Sequence, residues 1–179
     1  MRPANINVLL FILLGIIGFG VGGAIGGALW FAFDAPYLGF PMLGACGGAS
    51  LGLALRDRKR AGLLALGSAV GFGVGYLVGF FIVLAIWEPA HVEGLFIGAV
   101  GGGIGGASLG LGLRDWRKTG LLALAGALGF GIVGQVTWNL FRGSDAAVLG
   151  LSTKVFIWGV VGGAFLGAMS GYLNRRKTD

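Results

Sequence analysis

A stretch of 27 residues, GGASLGLALRDRKRAGLLALGSAVGFG from Gly47 to Gly73, returns as GGASLGLGLRDWRKTGLLALAGALGFG from Gly105 to Gly131, with 19 of the 27 paired positions identical. Each copy is a glycine-rich apolar run, a short basic turn and a second apolar run. An apolar run of about 20 residues is the length that crosses a bilayer as a helix. Each copy therefore predicts a transmembrane hairpin.

Composition points the same way. Of 179 residues, 56% are hydrophobic and only 11% charged, against roughly 25% charged in a soluble domain. So few charges cannot cover a water-exposed surface, and lipid is the solvent they imply. The expectation is a single transmembrane domain over residues 1–179, all α-helical. Its six spans are read at about 6–33, 40–55, 61–87, 93–113, 120–141 and 155–173. The first run is too long for a signal-peptide core and is read as a retained span. Pro41 falls in the first turn of the second span, where proline is tolerated. The segment RGSDAAVLGLSTK is read as the longest loop, with a VLGL apolar enough to dip into the interface. Tryptophans 30, 87, 116, 138 and 158 fall near span ends or turns and are read as interfacial anchors.

The net charge of +6 does not point to nucleic acid, because the basic residues sit in short clusters between apolar runs. With six spans, Arg2, the two basic turns and the tail share one side and carry 11 of the 13 Lys and Arg. Arg142 and Lys154 fall opposite. The positive-inside rule then places both termini in the cytoplasm of a bacterial-type inner membrane.

The repeat extends further. The helix before each basic turn, type a, carries GACGGASLG (Gly44–Gly52) and GGIGGASLG (Gly102–Gly110), and the sixth span repeats it as GVVGGAFLG (Gly159–Gly167). The helix after the turn, type b, carries LLALGSAVGFGVG, and the first span has LLFILLGIIGFGVG. The order is b, a–b, a–b, a. Repeats of two spans keep one orientation, so their axis lies along the membrane normal. The sequence predicts a pseudo-threefold, circularly permuted bundle of three hairpins.

Glycines recur every fourth residue, at Gly44, Gly48 and Gly52; at Gly94, Gly98, Gly102, Gly106 and Gly110; and at Gly159, Gly163, Gly167 and Gly171. On a b helix Gly67, Gly71, Gly75 and Gly79 repeat the pattern. Residues four apart share a helix face. In lipid, such bare faces let backbones approach closely, so a glycine-zipper packing is expected.

At the basic turns, Asp57 and Asp115 stand where they can cap a following helix, and Arg56 and Arg114 close the preceding one. Arg56, Arg58, Lys59, Arg60, Arg114, Arg117, Lys118, Arg175, Arg176 and Lys177 form a cytoplasmic basic collar suited to anionic lipid head groups or a partner's acidic face.

Chemistry is sparse. Two G-x-G-x-x-G matches, Gly18–Gly23 and Gly101–Gly106, lie inside apolar helices rather than after a strand, which argues against dinucleotide binding. One histidine and one cysteine cannot supply a zinc site or a Cys-His pair. His91, on an outer loop, reads as a solvated residue, with axial ligation of a pigment as the sharper alternative. The centres of the spans lack the carboxylates that proton-coupled transport uses. Gln135, Thr137 and Asn139 break the repeat in the outer half of the fifth span, as interhelical hydrogen-bonding groups, a polar vestibule or a subunit contact.

Two functions fit. The first is a non-enzymatic structural or accessory protein, self-associating or packed with other membrane subunits, in contact with lipid and with no resident cofactor required. The second is a channel or facilitator for a small neutral solute along the pseudo-threefold axis, lined by backbone, Ser50, Ser108 and Ser170, with Gln135 as a further candidate.

Overall fold

The computed structural model describes residues 4–86, 92–140 and 148–175. Within them the chain forms six helices and no strand: α1 (Ala4–Phe33), α2 (Pro36–Ala54), α3 (Arg58–Ile86), α4 (Glu93–Gly112), α5 (Trp116–Leu140) and α6 (Val148–Arg175). All six contain windows long and apolar enough to cross a membrane. By length and composition this is the architecture of a small integral membrane protein.

The helix limits differ from the expected spans for identifiable reasons. Pro36 stands in the first turn of α2, where its missing N–H costs nothing. Pro41 therefore lies a full turn into the helix rather than at its start. Asp57 Oδ1 accepts from the backbone N–H of Lys59 and Arg60 at 3.0 and 3.2 Å. Asp115 Oδ1 does the same for Arg117 and Lys118 at 3.1 and 3.4 Å. These caps start α3 and α5 three or four residues early and draw most of each basic cluster into a helical first turn. Each turn shrinks to a few residues and reverses through a left-handed arginine, Arg56 at φ 57° and Arg114 at φ 54°. The VLGLSTK segment is not a loop: it forms the first two turns of α6.

Each helix packs on its neighbours in sequence, and α6 closes the ring by packing on α1. The closest approaches are bare. A Cβ built on Gly44 or Gly48 would fall inside 3.0 Å of the Ser68 or Leu64 carbonyl on α3, and one on Gly52 would meet the Ala61 backbone. On α4, Gly94, Gly98, Gly102 and Gly106 stand in the same way against the carbonyls of Gly134, Phe130, Gly126 and Leu122 on α5, and Gly110 against Thr119. On α6, Gly159, Gly163 and Gly167 stand against the carbonyls of Phe19, Gly15 and Phe11 on α1, and Gly171 against Val8. Gly71, Gly75 and Gly79 meet Ser108, Gly101 and Ile97 of α4; Gly67 makes only ordinary contact. Helices in lipid gain no hydrophobic drive from meeting one another, so close van der Waals approach carries the association. Outward, residues such as Leu13, Ile17, Leu66, Val70, Leu124 and Ile132 are exposed, as a lipid-facing belt requires.

Candidate functional site: the bundle axis

The interior of the ring is filled from the middle to one end. Phe19, Phe72 and Phe130, each between two glycines in the sequence, converge from α1, α3 and α5. Their ring centroids lie 5.5, 6.0 and 5.1 Å apart, tilted or edge to face, the separation and tilt aromatic quadrupoles favour. Each ring lies on bare backbone of another helix: Phe19 on Gly47, Phe72 on Gly105 and Phe130 on Gly162. All three rings are fully buried.

On the side away from the basic turns, an aromatic layer fills the ring. Phe40 stacks on Tyr76 at 4.3 Å and meets Trp158 edge-on at 5.7 Å, while Trp30 leans on both Phe40 and Tyr76. Trp158, expected at the interface, is instead 3% exposed. Its indole N–H donates to the Thr137 hydroxyl, which itself donates to the Val133 carbonyl at 2.8 Å. A buried indole needs such an acceptor, and Thr137 supplies it across the α5–α6 seam.

The other two polar groups of α5 also bond. Gln135 Oε1 accepts from the Leu95 backbone N–H at 3.0 Å. Leu95 lies in the first turn of α4, whose N-terminus has no side-chain cap of its own, so Gln135 satisfies one of its orphan donors from the neighbouring helix. Asn139 Oδ1 accepts from Gln135 Nε2 at 3.4 Å. Ser50 and Ser108 donate to Gly47 and Gly105 of their own helices at 2.8 and 2.7 Å and press on Gly18 and Gly71 in the helix seams. They do not line the axis.

Lys154, expected opposite the basic turns in a loop, lies inside α6 and is 3% exposed. Its ammonium sits 4.1 Å over the Trp138 ring, a cation–π contact that strengthens when water is excluded. No sequence signal marked it, because the preceding residues read as loop.

Towards the basic turns the axis opens into a vestibule of about 130 Å³ to which all six helices contribute. Phe11 and Leu64 belong to its apolar lining, about two helical turns from the phenylalanine trio along α1 and α3. Its polar wall is Arg60, Lys118, Ser170 and Asn174. Of the expected collar, Arg58, Lys59 and Arg117 are exposed to the surroundings, while Lys118 turns inward and is 9% exposed. Arg176, Lys177 and His91 lie outside the described residues.

The α5–α6 seam differs from the others. Phe165 fills the position held by Ser50 and Ser108 in the two other a signatures, and its side chain meets Gly129. Beside it an apolar groove of about 600 Å³, lined among others by Leu124, Leu128, Ala168 and Met169, faces outward. Among the described residues no group of three or more His, Cys, Asp or Glu comes together as a metal site. Compared with protein-family models, curated proteins and solved structures, the chain has no match in any of the three.

Proposed function

We propose that this is a non-enzymatic structural or accessory membrane protein: a pseudo-threefold, circularly permuted ring of three glycine-zipper hairpins with both termini in the cytoplasm of a bacterial-type inner membrane. The observation that carries the reading is the trio Phe19, Phe72 and Phe130, each seated on a glycine of another helix and on one another. A plug of this kind spends the axis on packing. The threefold arrangement draws support from the seats themselves, since Gly47, Gly105 and Gly162 hold the same place in the three a signatures. The permutation draws support from α6, whose glycines meet α1 carbonyls as those of α4 meet α5. Partners are other membrane subunits or further copies, with anionic lipid around the basic collar.

The channel alternative is weaker, because a solute would have to displace three interlocked rings and the aromatic layer beyond them. Gentle extraction from the native membrane, followed by mass determination of the intact particle, tests the proposal. Stoichiometric partners or a defined homo-oligomer support it. Solute flux through the purified protein alone in liposomes overturns it.

A further inference from the structure

We propose that the seam between α5 and α6 seats one anionic phospholipid, with a tail in its groove and the phosphate on Arg117. Such a site rests on the reading of anionic lipid around the basic collar, and gives one lipid of that shell a fixed place.

The seam is built unlike its two counterparts. A b helix meets the following a helix at α1–α2, α3–α4 and α5–α6. In the first two, α1 offers Gly18, Gly22 and Gly26, and α3 offers Gly71, Gly75 and Gly79. The same register of α5 reads Gly129, Val133 and Thr137, so two of the three bare positions are filled. A Cβ built on Gly18 would lie 2.9 Å from the Cys46 carbonyl oxygen, and one on Gly71 3.2 Å from that of Ile104. The three atoms nearest to one on Gly129 all belong to the Phe165 side chain. Backbone does not close on backbone here. The lipid-facing side departs as well, because Ala168 stands where the two other a helices carry the exposed Leu53 and Leu111. A ring in the seam and a missing leucine beside it leave the groove of about 600 Å³.

The groove and its basic-turn end together select the occupant. Its walls include Leu124, Leu128, Phe165 and Met169 over Ala125 and Ala168, and no glycine lines it. A further helix would gain little close backbone approach there, whereas a flexible chain of methylenes can follow the gap between side chains. Arg117 supplies the charge. It stands seven and eleven positions before Leu124 and Leu128, about two and three turns, and so on their face of α5. Arg117 is exposed, and among the described residues no carboxylate pairs with it. Asp57 pairs with Arg60, and Asp115 takes the backbone N–H groups of Arg117 and Lys118. A guanidinium at head-group level meets a phosphate as a planar fork of donors. From Arg117 to Leu128 the helix rises about 16 Å, half of a hydrocarbon core of roughly 30 Å. That is the reach of one leaflet's tail.

The test titrates full-length protein in neutral detergent with phosphatidylglycerol or phosphatidylcholine and counts retained lipids by native mass spectrometry. One phosphatidylglycerol should be held above all others, about fivefold more tightly than phosphatidylcholine, the difference expected of one basic residue beside an anionic lipid. Arg117→Gln should remove that preference. Arg58→Gln, exposed on α3, should leave it within about twofold. Ala168→Leu, which restores the leucine of the other a helices, should fill the groove and weaken the first lipid several-fold, whatever its head group. Should that variant fail to fold, Phe165→Ser, the residue of the other two seams, should do the same by letting the seam close. Equal losses from Arg58→Gln and Arg117→Gln, with Ala168→Leu unchanged, overturn the seated lipid and leave the collar reading standing. A particle of two copies that Ala168→Leu disperses also overturns it, since the groove then holds a second helix. No preference for phosphatidylglycerol at any site overturns the collar reading with it.

Discussion

Phe130 lies against the backbone of Gly162, so close that a Cβ at Gly162 would overlap its ring. The ring cannot step aside, because Phe19 and Phe72 hold its other edges. Gly162→Ala should therefore destabilise the bundle by about 1–3 kcal/mol, the usual cost of overpacking. The comparison is Gly62→Ala, at a site with nothing within 4 Å, which should leave the melting temperature in detergent unchanged or slightly raised. Equal midpoints for the two variants would remove the trio as the organising contact.

The Trp158–Thr137 hydrogen bond joins α5 to α6 at the seam that Phe165 also occupies. A double-mutant cycle with Thr137→Val and Trp158→Phe should return a coupling of about 0.6–1.7 kcal/mol, the range for hydrogen bonds between helices in lipid. Additive losses would mean that the two side chains do not depend on one another.

Arg56 and Arg114 hold left-handed backbone at the ends of α2 and α4, a conformation costing non-glycine residues about 1–2 kcal/mol. Arg56→Gly and Arg114→Gly should each raise stability by up to about 1 kcal/mol. Arg56→Ala removes the same charge without relieving the strain and should give no gain. A gain shared by the alanine variant would assign the effect to charge instead.

The orientation can be read by thiol labelling in a Cys46→Ala background. Arg117→Cys, at the basic-turn end, should react only once the cytoplasmic side is opened to an impermeant maleimide. Tyr37→Cys, exposed at the opposite end, should react in intact cells. The reverse pattern would invert the topology.

The existence of six spans was legible because lipid-length apolar runs leave little else for the chain to do. Their ends were less so. Asp57 and Asp115 were recognisable as caps, yet a cap moves the helix start outward, and the basic residues after it looked like turn. Inward faces were the hardest to read. When the core and the surroundings are equally apolar, hydrophobicity cannot tell Phe72, which is buried, from Phe81, which faces out. The thrice-repeated Gly-Phe-Gly was the available signal, since a large ring flanked by bare backbone implies a dedicated seat. Trp158 misled because tryptophan is common at interfaces, whereas the Thr137 hydroxyl makes a buried place for it. Lys154 misled because the residues before it read as loop, whereas it lies inside α6 over the Trp138 ring.

The ring closes between the first helix and the last. During synthesis α1 enters the membrane with its glycine face at Gly15 and Gly23 prepared for a helix that has not yet been translated. Until α6 arrives, five helices form an open arc with two unmatched flanks. Before α6 is translated, α1 and α5 each lack the neighbour that covers them in the closed ring.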